Sequence, residues 1–478
     1  MDTQSSATSR RRTGDPRLPV RAGAILRVRT IWLIPLITGS VVVAAMTTLY
    51  IWSVVNPLAH LRGLPVAIVN QDRGATIGSQ HLDTGQEVQS GLLAAPAVKH
   101  WLRLDVSTLP QAAQAMSKGD LYATVVIPPD FTTSLLSVSV LNTPRATEPQ
   151  IQILTNQRAG TIGAQLATGI LQPALAAASH QIGQHLSSLM PATALTGATK
   201  VILADPVAVI TAQYRPLPPS TALGLSPIYI ALLTLFCGFV GGTIVNSVVD
   251  SGLGYASTEA GPRWSQRPPV PINRWRTLLI KWAIVVVLTV VLTGVVLVVS
   301  AGILGMDAPH TAVLWLFTWL CAGSVGVGTI VLFAVAGTFG QLLGLLIFVY
   351  AGLASAGGTV PVQALPGFFR WLSNFEPLRQ VLAGTRSIMY FNAQADAGLT
   401  RGTLAAGLGL LFWLAMGTGI VKWYDRKRFY RLDPEILAHV NASVQDYRTQ
   451  RAAAGLSPSV TTQPPGGEAP SGRPPNDW

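Results

Sequence analysis

His180 and His185 are the residues of this 478-residue chain that come closest to a metal-ligand pattern. They stand five positions apart, which turns them about 140° away from each other on a helix. A zinc site needs three or four converging ligands, and no third one accompanies them, so the pair reads as two solvated histidines. Other chemistry is missing from the sequence as well. There is no GxxxxGK(S/T) run to cradle nucleotide phosphates, no HExxH helix and no GxSxG elbow. Cys237 and Cys321 fall inside apolar runs and read as small buried hydrophobes. Asp250, Asp307, Glu376 and Asp396 lie at the ends of apolar runs or in loops, so no carboxylate is placed to relay protons through a bundle. The expectation is a chain that is not an enzyme, with no catalytic residue, no bound cofactor and no metal.

The elements around these residues belong to a membrane. Hydrophobic residues make up 49% of the chain and charged ones 11%, against about 25% charged in an average soluble chain. The mean hydropathy is +0.42. Ile31–Val55 runs 25 residues without a charge, about 37 Å as a helix and enough to cross a ~30 Å hydrocarbon core. Arg10, Arg11, Arg12, Arg17, Arg21, Arg27 and Arg29 precede it, which places the N-terminus in the cytoplasm. The run exceeds the roughly 7–15 apolar residues of a signal peptide and reads as a retained anchor. The net charge of +12 sits beside apolar runs, as the positive-inside rule expects. Between Asn56 and Ala222, nine Lys/Arg nearly balance eight Asp/Glu, so a nucleic-acid partner is not expected.

The predicted fold class is a polytopic α-helical membrane protein of six transmembrane helices, N-in and C-in, with an α+β extracytoplasmic domain between helices 1 and 2. Residues 1–30 form a basic cytoplasmic N-terminus, 31–55 the first span and 56–222 the exported domain. Residues 223–421 hold spans 2–6, residues 422–454 a basic cytoplasmic helix opening at Asp433-Pro434, and residues 455–478 a disordered tail. Within the exported domain, Pro65–Asn70, Leu102–Val106, Leu121–Ile127, Ile151–Leu154 and Val201–Ile210 read as strands. Pro110–Lys118 reads as a helix, and Thr161–Leu189 as two helical pieces divided at Pro173. The later spans are Leu223–Val249, Leu278–Leu304, Ala312–Ala336, Gln341–Val360 and Thr403–Val421, with Lys281 expected to snorkel to the inner interface. Gly238, Gly241 and Gly242 permit close helix approach, which reads as ordinary membrane packing.

Two segments stand apart. Residues 361–391 interleave Phe368, Phe369 and Trp371 with Glu376, Arg379 and Arg386 and are too charged to span. They read as a re-entrant or interfacial pair of short amphipathic helices in the outer leaflet, started at Pro366 and Pro377; the alternative is an aromatic belt that anchors its neighbours. The loop Asp250–Arg276 offers Glu259, Arg263, Trp264 and Arg267 to a cytoplasmic partner, or is simply a solvated positive-inside loop. If the chain transports anything, its energy comes from a separate ATP-hydrolysing subunit.

Two motifs carry a resemblance: Val69-Asn70-Gln71-Asp72-Arg73-Gly74, and Gly119-Asp120-Leu121-Tyr122-Ala123 running into Ile127-Pro128-Pro129-Asp130-Phe131. With the order of spans and a late Leu365-Pro366…Leu372…Pro377 segment, the chain resembles ABC-2-type membrane permeases of the YhgE/Pip-like branch. The resemblance implies a permease of a cell-envelope or plasma (inner) membrane exporter, working as a homodimer or heterodimer among membrane lipids. ATP would sit on a partner ATPase, and Asp250–Arg276 would supply a helical coupling element. The substrate would be lipid-like, polymeric or drug-like. Some relatives are phage-infection proteins, so a non-transporting envelope receptor or assembly scaffold is the alternative. The branch commonly has a longer, coiled-coil-rich exported region, for which only Thr161–Leu189 could stand here. The motif residues Asn70, Asp72, Gly74, Tyr122, Pro128, Pro129, Asp130 and Phe131 are expected to be structural, Asp72 and Gly74 shaping a turn and Asp130 capping a helix.

Overall fold

The computed structural model describes residues 29–77, 80–139, 149–189, 203–260, 263–265 and 267–429, with a few isolated residues between 438 and 450. The basic N-terminus up to residue 28, positions 201–202, the tail 455–478 and nearly all of residues 430–454, part of the helix expected over 422–454, lie outside the described residues. Contacts divide the chain into two units. One is Met1–Leu235, Gly294–Cys321 and Leu342–Ala406; the other is Phe236–Thr293, Ala322–Gln341 and Gly407–Trp478.

The first unit opens with α1 (Arg29–Val54) and contains a mixed α+β domain. Its five-stranded sheet has the order β4-β1-β5-β6-β7, formed by β1 (Leu64–Asn70), β4 (Leu102–Val106), β5 (Ala123–Ile127), β6 (Gln150–Thr155) and β7 (Ala208–Gln213). Strand β1 pairs in parallel with β4 and β5, β5 is antiparallel to β6, and β6 is parallel to β7. A small hairpin of β2 (Ala75–Ile77) and β3 (Gln80–Leu82) lies outside this sheet. Strands β1 and β5 are apolar at almost every position because both faces of the sheet are covered. On one face, Ile68, Val125 and Ile153 pack with Val88 and Leu92 of α2 (Thr84–Ala94), Val98 of α3 (Pro96–Trp101) and Leu171 and Leu175 further along the chain. On the other, Ala67, Val69 and Val126 pack with Ala112 and Met116 of α4 (Leu109–Lys118).

The helix α5 (Phe131–Ser139) follows β5, and α6 (Thr161–Leu189) follows β6. Where two pieces are expected, α6 is one 29-residue helix with Pro173 inside it. Leu171 and Leu175, on either side of Pro173, are both buried in the sheet core, so packing holds the helix through the missing backbone bond. The last strand falls at Ala208–Gln213 rather than at 201–210. Helices α2 and α3 carry no expectation from the sequence.

The long apolar helices outside the α+β domain are α1, α7 (Ser226–Gly252), α8 (Arg274–Leu297, continued by a π-helical turn Val298–Ile303), α9 (Thr311–Ala336) and α13 (Leu399–Arg426). Among the described residues, these five are long and apolar enough to cross a membrane. The expected fifth span is instead the shorter α10 (Phe339–Ser355), whose middle, Leu345–Tyr350, is a π-helix. Its 17 residues reach about 26 Å. Helices α11 (Gly367–Leu372) and α12 (Pro377–Tyr390) are too short to span.

In the second unit, segments of α7, α8, α9 and α13 share a core of Val245, Trp282, Val285, Val327, Ile330 and Val421. Gly238 and Gly242 let α7 meet α9 closely: a Cβ on Gly238 would stand 2.4 Å from the Ala322 carbonyl oxygen, the contact that small residues four apart allow. Between α7 and α8 the chain forms a hairpin of β8 (Thr258–Ala260) and β9 (Arg263–Ser265). This replaces the helix expected in Asp250–Arg276.

Candidate functional site

Asn246 and Asp250 stand four residues apart on α7, so both lie on one face of it. On α8, Arg274, Thr277 and Lys281 recur at intervals of three and four along another single face. The faces meet. Lys281 Nζ lies 2.7 Å from Asp250 Oδ1 and 2.7 Å from Asn246 Oδ1. Side-chain exposure is 6% for Lys281 and 13% for Asp250, so Lys281 does not snorkel; a carboxylate on the last turn of α7 answers its charge inside the unit. Each such charge costs about 2.5–3.5 kcal/mol at the centre of a membrane helix, and buried charges of this kind pair with one another or mark a pathway.

The pair borders a cavity of about 560 Å³ that Arg274, Thr338, Gln341 and Tyr424 also line. The Arg274 guanidinium stands 5.5 Å from the centre of the Tyr424 ring, and Lys422 lies similarly over Trp275. A cavity this polar among helices this apolar can receive a polar or charged group. Of the four residues expected to touch a partner, Arg267 is exposed, and Glu259, Arg263 and Trp264 sit on the β8–β9 hairpin. The side chains of Glu259, Arg263 and Trp264 lie outside the described residues.

The residues of segment 361–391 sort into two environments in the first unit. Phe368 and Trp371 are exposed at 48% and 59%, and Phe369 is fully buried. Trp52 of α1 stacks with Phe368 and meets Phe369 edge-on. Helix α12 is different. Pro377 takes its first position and Glu376 its N-cap, accepting the Arg379 N–H at 3.1 Å. Most of α12 is buried, including Leu378, Val381 and Gly384, so it packs into the unit along most of its length. Glu376 is 3% exposed, and burial pushes its carboxyl up to about 8. Arg379 donates to Asn374 Oδ1 at 3.2 Å. Arg386 is half-buried.

The α+β domain and this segment are joined. Arg370 donates to the carbonyl oxygens of Gln363 at 2.8 Å and His60 at 3.2 Å, and Ala364 is part of the sheet core. Lys118 pairs with Asp396 at 2.6 Å, which raises the Lys118 ammonium and lowers the Asp396 carboxyl. Arg158 donates to the Tyr390 carbonyl at 3.2 Å.

The two sequence motifs meet each other. Asn70 Oδ1 accepts the Asp72 N–H at 3.0 Å, and Gly74 takes the left-handed conformation at φ 64°. Gln71 N–H reaches the Ile127 carbonyl and Arg73 N–H the Pro129 carbonyl, next to Pro128. Asp72 does more than shape a turn. Its carboxylate accepts the Gly85 N–H at 3.0 Å and the Thr132 N–H at 3.1 Å, binding the first turns of α2 and α5; the Thr132 hydroxyl also donates to it. Asp130 serves α5 through its backbone carbonyl, which accepts the Ser134 N–H at 2.8 Å. Phe131 is fully buried in the core. Tyr122 lies against α6, where a Cβ on Gly163 would be 2.3 Å from its ring. Burial raises its hydroxyl above the usual tyrosine value.

Long apolar helices, a polar cavity among them and an α+β domain inserted early in the chain define a polytopic helical membrane protein. A family model described as "Protein of unknown function (DUF3533)" matches residues 35–414, and the chain belongs to that family. No curated protein matches it. Among solved structures, the chain is similar to a domain assigned to an ABC type-2 transporter of Thermotoga maritima MSB8. The identity is 20% over 34% of this chain and 97% of that one, with a TM-score of 0.22.

Proposed function

We propose that the chain is the permease subunit of an ABC-2-type exporter of the YhgE/Pip-like branch, moving an amphipathic, lipid-like, polymeric or drug-like substrate across the plasma membrane. The observation that carries this reading is the polar cavity beside Lys281 and Asp250, because charge is retained inside apolar helices mainly where a pathway uses it. The sequence has no GxxxxGK(S/T) run, so hydrolysis of ATP is assigned to a separate cytoplasmic subunit that docks on the β8–β9 hairpin. Both chain ends are cytoplasmic, α10 serves as the short fifth of six crossings, and the α+β domain stands outside. Two copies, or this chain and a paralogue, complete the pathway. Purification from native membranes tests the reading. A nucleotide-binding protein should co-purify, and its ATPase activity in proteoliposomes should fall when β8–β9 is replaced by a Gly/Ser linker. A chain that purifies without such a protein overturns the reading.

A further inference from the structure

We propose that the α+β domain binds a long-chain amphiphile whose head group carries hydrogen-bond donors, in a groove between α2–α3 and α6. The groove encloses about 790 Å³, within the range of roughly 300–1,000 Å³ that small-molecule sites occupy. Its floor is apolar, made by Val88, Leu92 and Ile170. Along α6 it runs from Gly169 to His185, about 24 Å, the reach of an extended long acyl chain. Each methylene taken from water tightens binding about fourfold.

The groove holds the donors Trp101 and Gln181 and the His185 imidazole, and two of its groups act as acceptors alone. Glu87 places a carboxylate at the rim. Pro173 has no N–H, so the Gly169 carbonyl lacks its helical donor, and the space beside Gly169 is open. A hydroxylated or ammonium head satisfies both acceptors, whereas a carboxylate or phosphate head meets Glu87 with like charge. The groove lies wholly within the first unit and does not depend on the chain being a permease.

The test uses the full chain in nanodiscs and a monoacylglycerol with a photoreactive diazirine near the end of its acyl chain. After irradiation, mass spectrometry should find label in peptides covering 87–101 and 169–185. Ala177, an exposed groove residue, is the place to block it: Ala177→Trp should cut that label about tenfold, about 1.4 kcal/mol, with labelling of α9 unchanged. The fatty acid of the same chain length should label about tenfold less than the monoacylglycerol, and Glu87→Gln should narrow that gap. In Ala177→Cys, the monoacylglycerol should slow reaction with a water-soluble thiol reagent. Groove labelling that ignores Ala177→Trp overturns the proposal. So does an Ala177→Cys thiol protected before any monoacylglycerol is added, the sign of a second copy or another protein in the groove. No export by the wild-type chain, with groove labelling intact, would overturn the permease reading alone.

Discussion

Lys281 Nζ sits 2.7 Å from Asp250 Oδ1, joining the first half of α8 to the last turn of α7. Removing one member takes the opposite charge away from a buried one, at a cost of up to about 3–5 kcal/mol, whereas replacing both with apolar residues can be neutral. Lys281→Met and Asp250→Leu should each lower the thermal midpoint of the detergent-purified protein sharply, and the double variant should recover most of the loss. Additive effects in that cycle would show that the two side chains do not interact.

Asp72 ties the first turns of α2 and α5 to the end of β1. Asp72→Ala should cost roughly 2–4 kcal/mol, since two backbone N–H groups and a hydroxyl lose a charged acceptor together. Thr132→Val, which removes a hydroxyl that donates to Asp72 and accepts the Thr84 N–H at 3.0 Å, should cost about 1–2 kcal/mol. Thermal unfolding of the full chain and proteolysis near residue 85 report both; equal effects would contradict the shared role of Asp72.

Glu376 gives the fold a pH dependence of defined sign. Its carboxyl is raised by burial to about 8, well above the usual carboxylate range, so the folded chain holds this proton more tightly than the unfolded one. Its contribution is full below the unfolded value and is lost as pH rises through the folded one. The thermal midpoint should therefore fall from pH 5 to pH 8.5, and Glu376→Gln should flatten that slope. An unchanged slope in the variant would place the titration elsewhere.

Two glycines of α6 should respond oppositely to alanine. At Gly163 the new methyl meets the Tyr122 ring at 2.3 Å, costing about 1–3 kcal/mol. At Gly169 nothing lies within 4 Å, and better helix propensity should stabilise by about 0.5–1 kcal/mol. Differential scanning fluorimetry of the two variants checks the ordering.

Much of the sheet was legible because its pattern is local. Leu64–Asn70 and Leu102–Val106 announce themselves as apolar or alternating runs between turn residues. Helix α2 was missed although its signals are present: Asp83 caps it by accepting the Gln86 N–H at 2.9 Å, and Val88 and Leu92 stand four apart. Its many polar and glycine positions diluted that stripe. The β8–β9 hairpin was missed in favour of a helix, although Gly261-Pro262 is a turn signal. The cavity lay beyond a linear reading. Asn246-x-x-x-Asp250 and Arg274-x-x-Thr277-x-x-x-Lys281 are visible as polar stripes, yet their meeting depends on how two helices are set against each other. The turn at Asp72 is local, but its partners Gly85 and Thr132 are 13 and 60 residues away.

The bond from Arg370 to the His60 carbonyl closes a loop of 310 residues, and Ala364 fills a place among side chains from the sheet. Every strand of that sheet is synthesised long before either residue leaves the ribosome. The early domain must therefore wait, one side unfinished, while four later helices are made and inserted. A fragment ending near residue 222 would keep its strands and lack the keystone laid last.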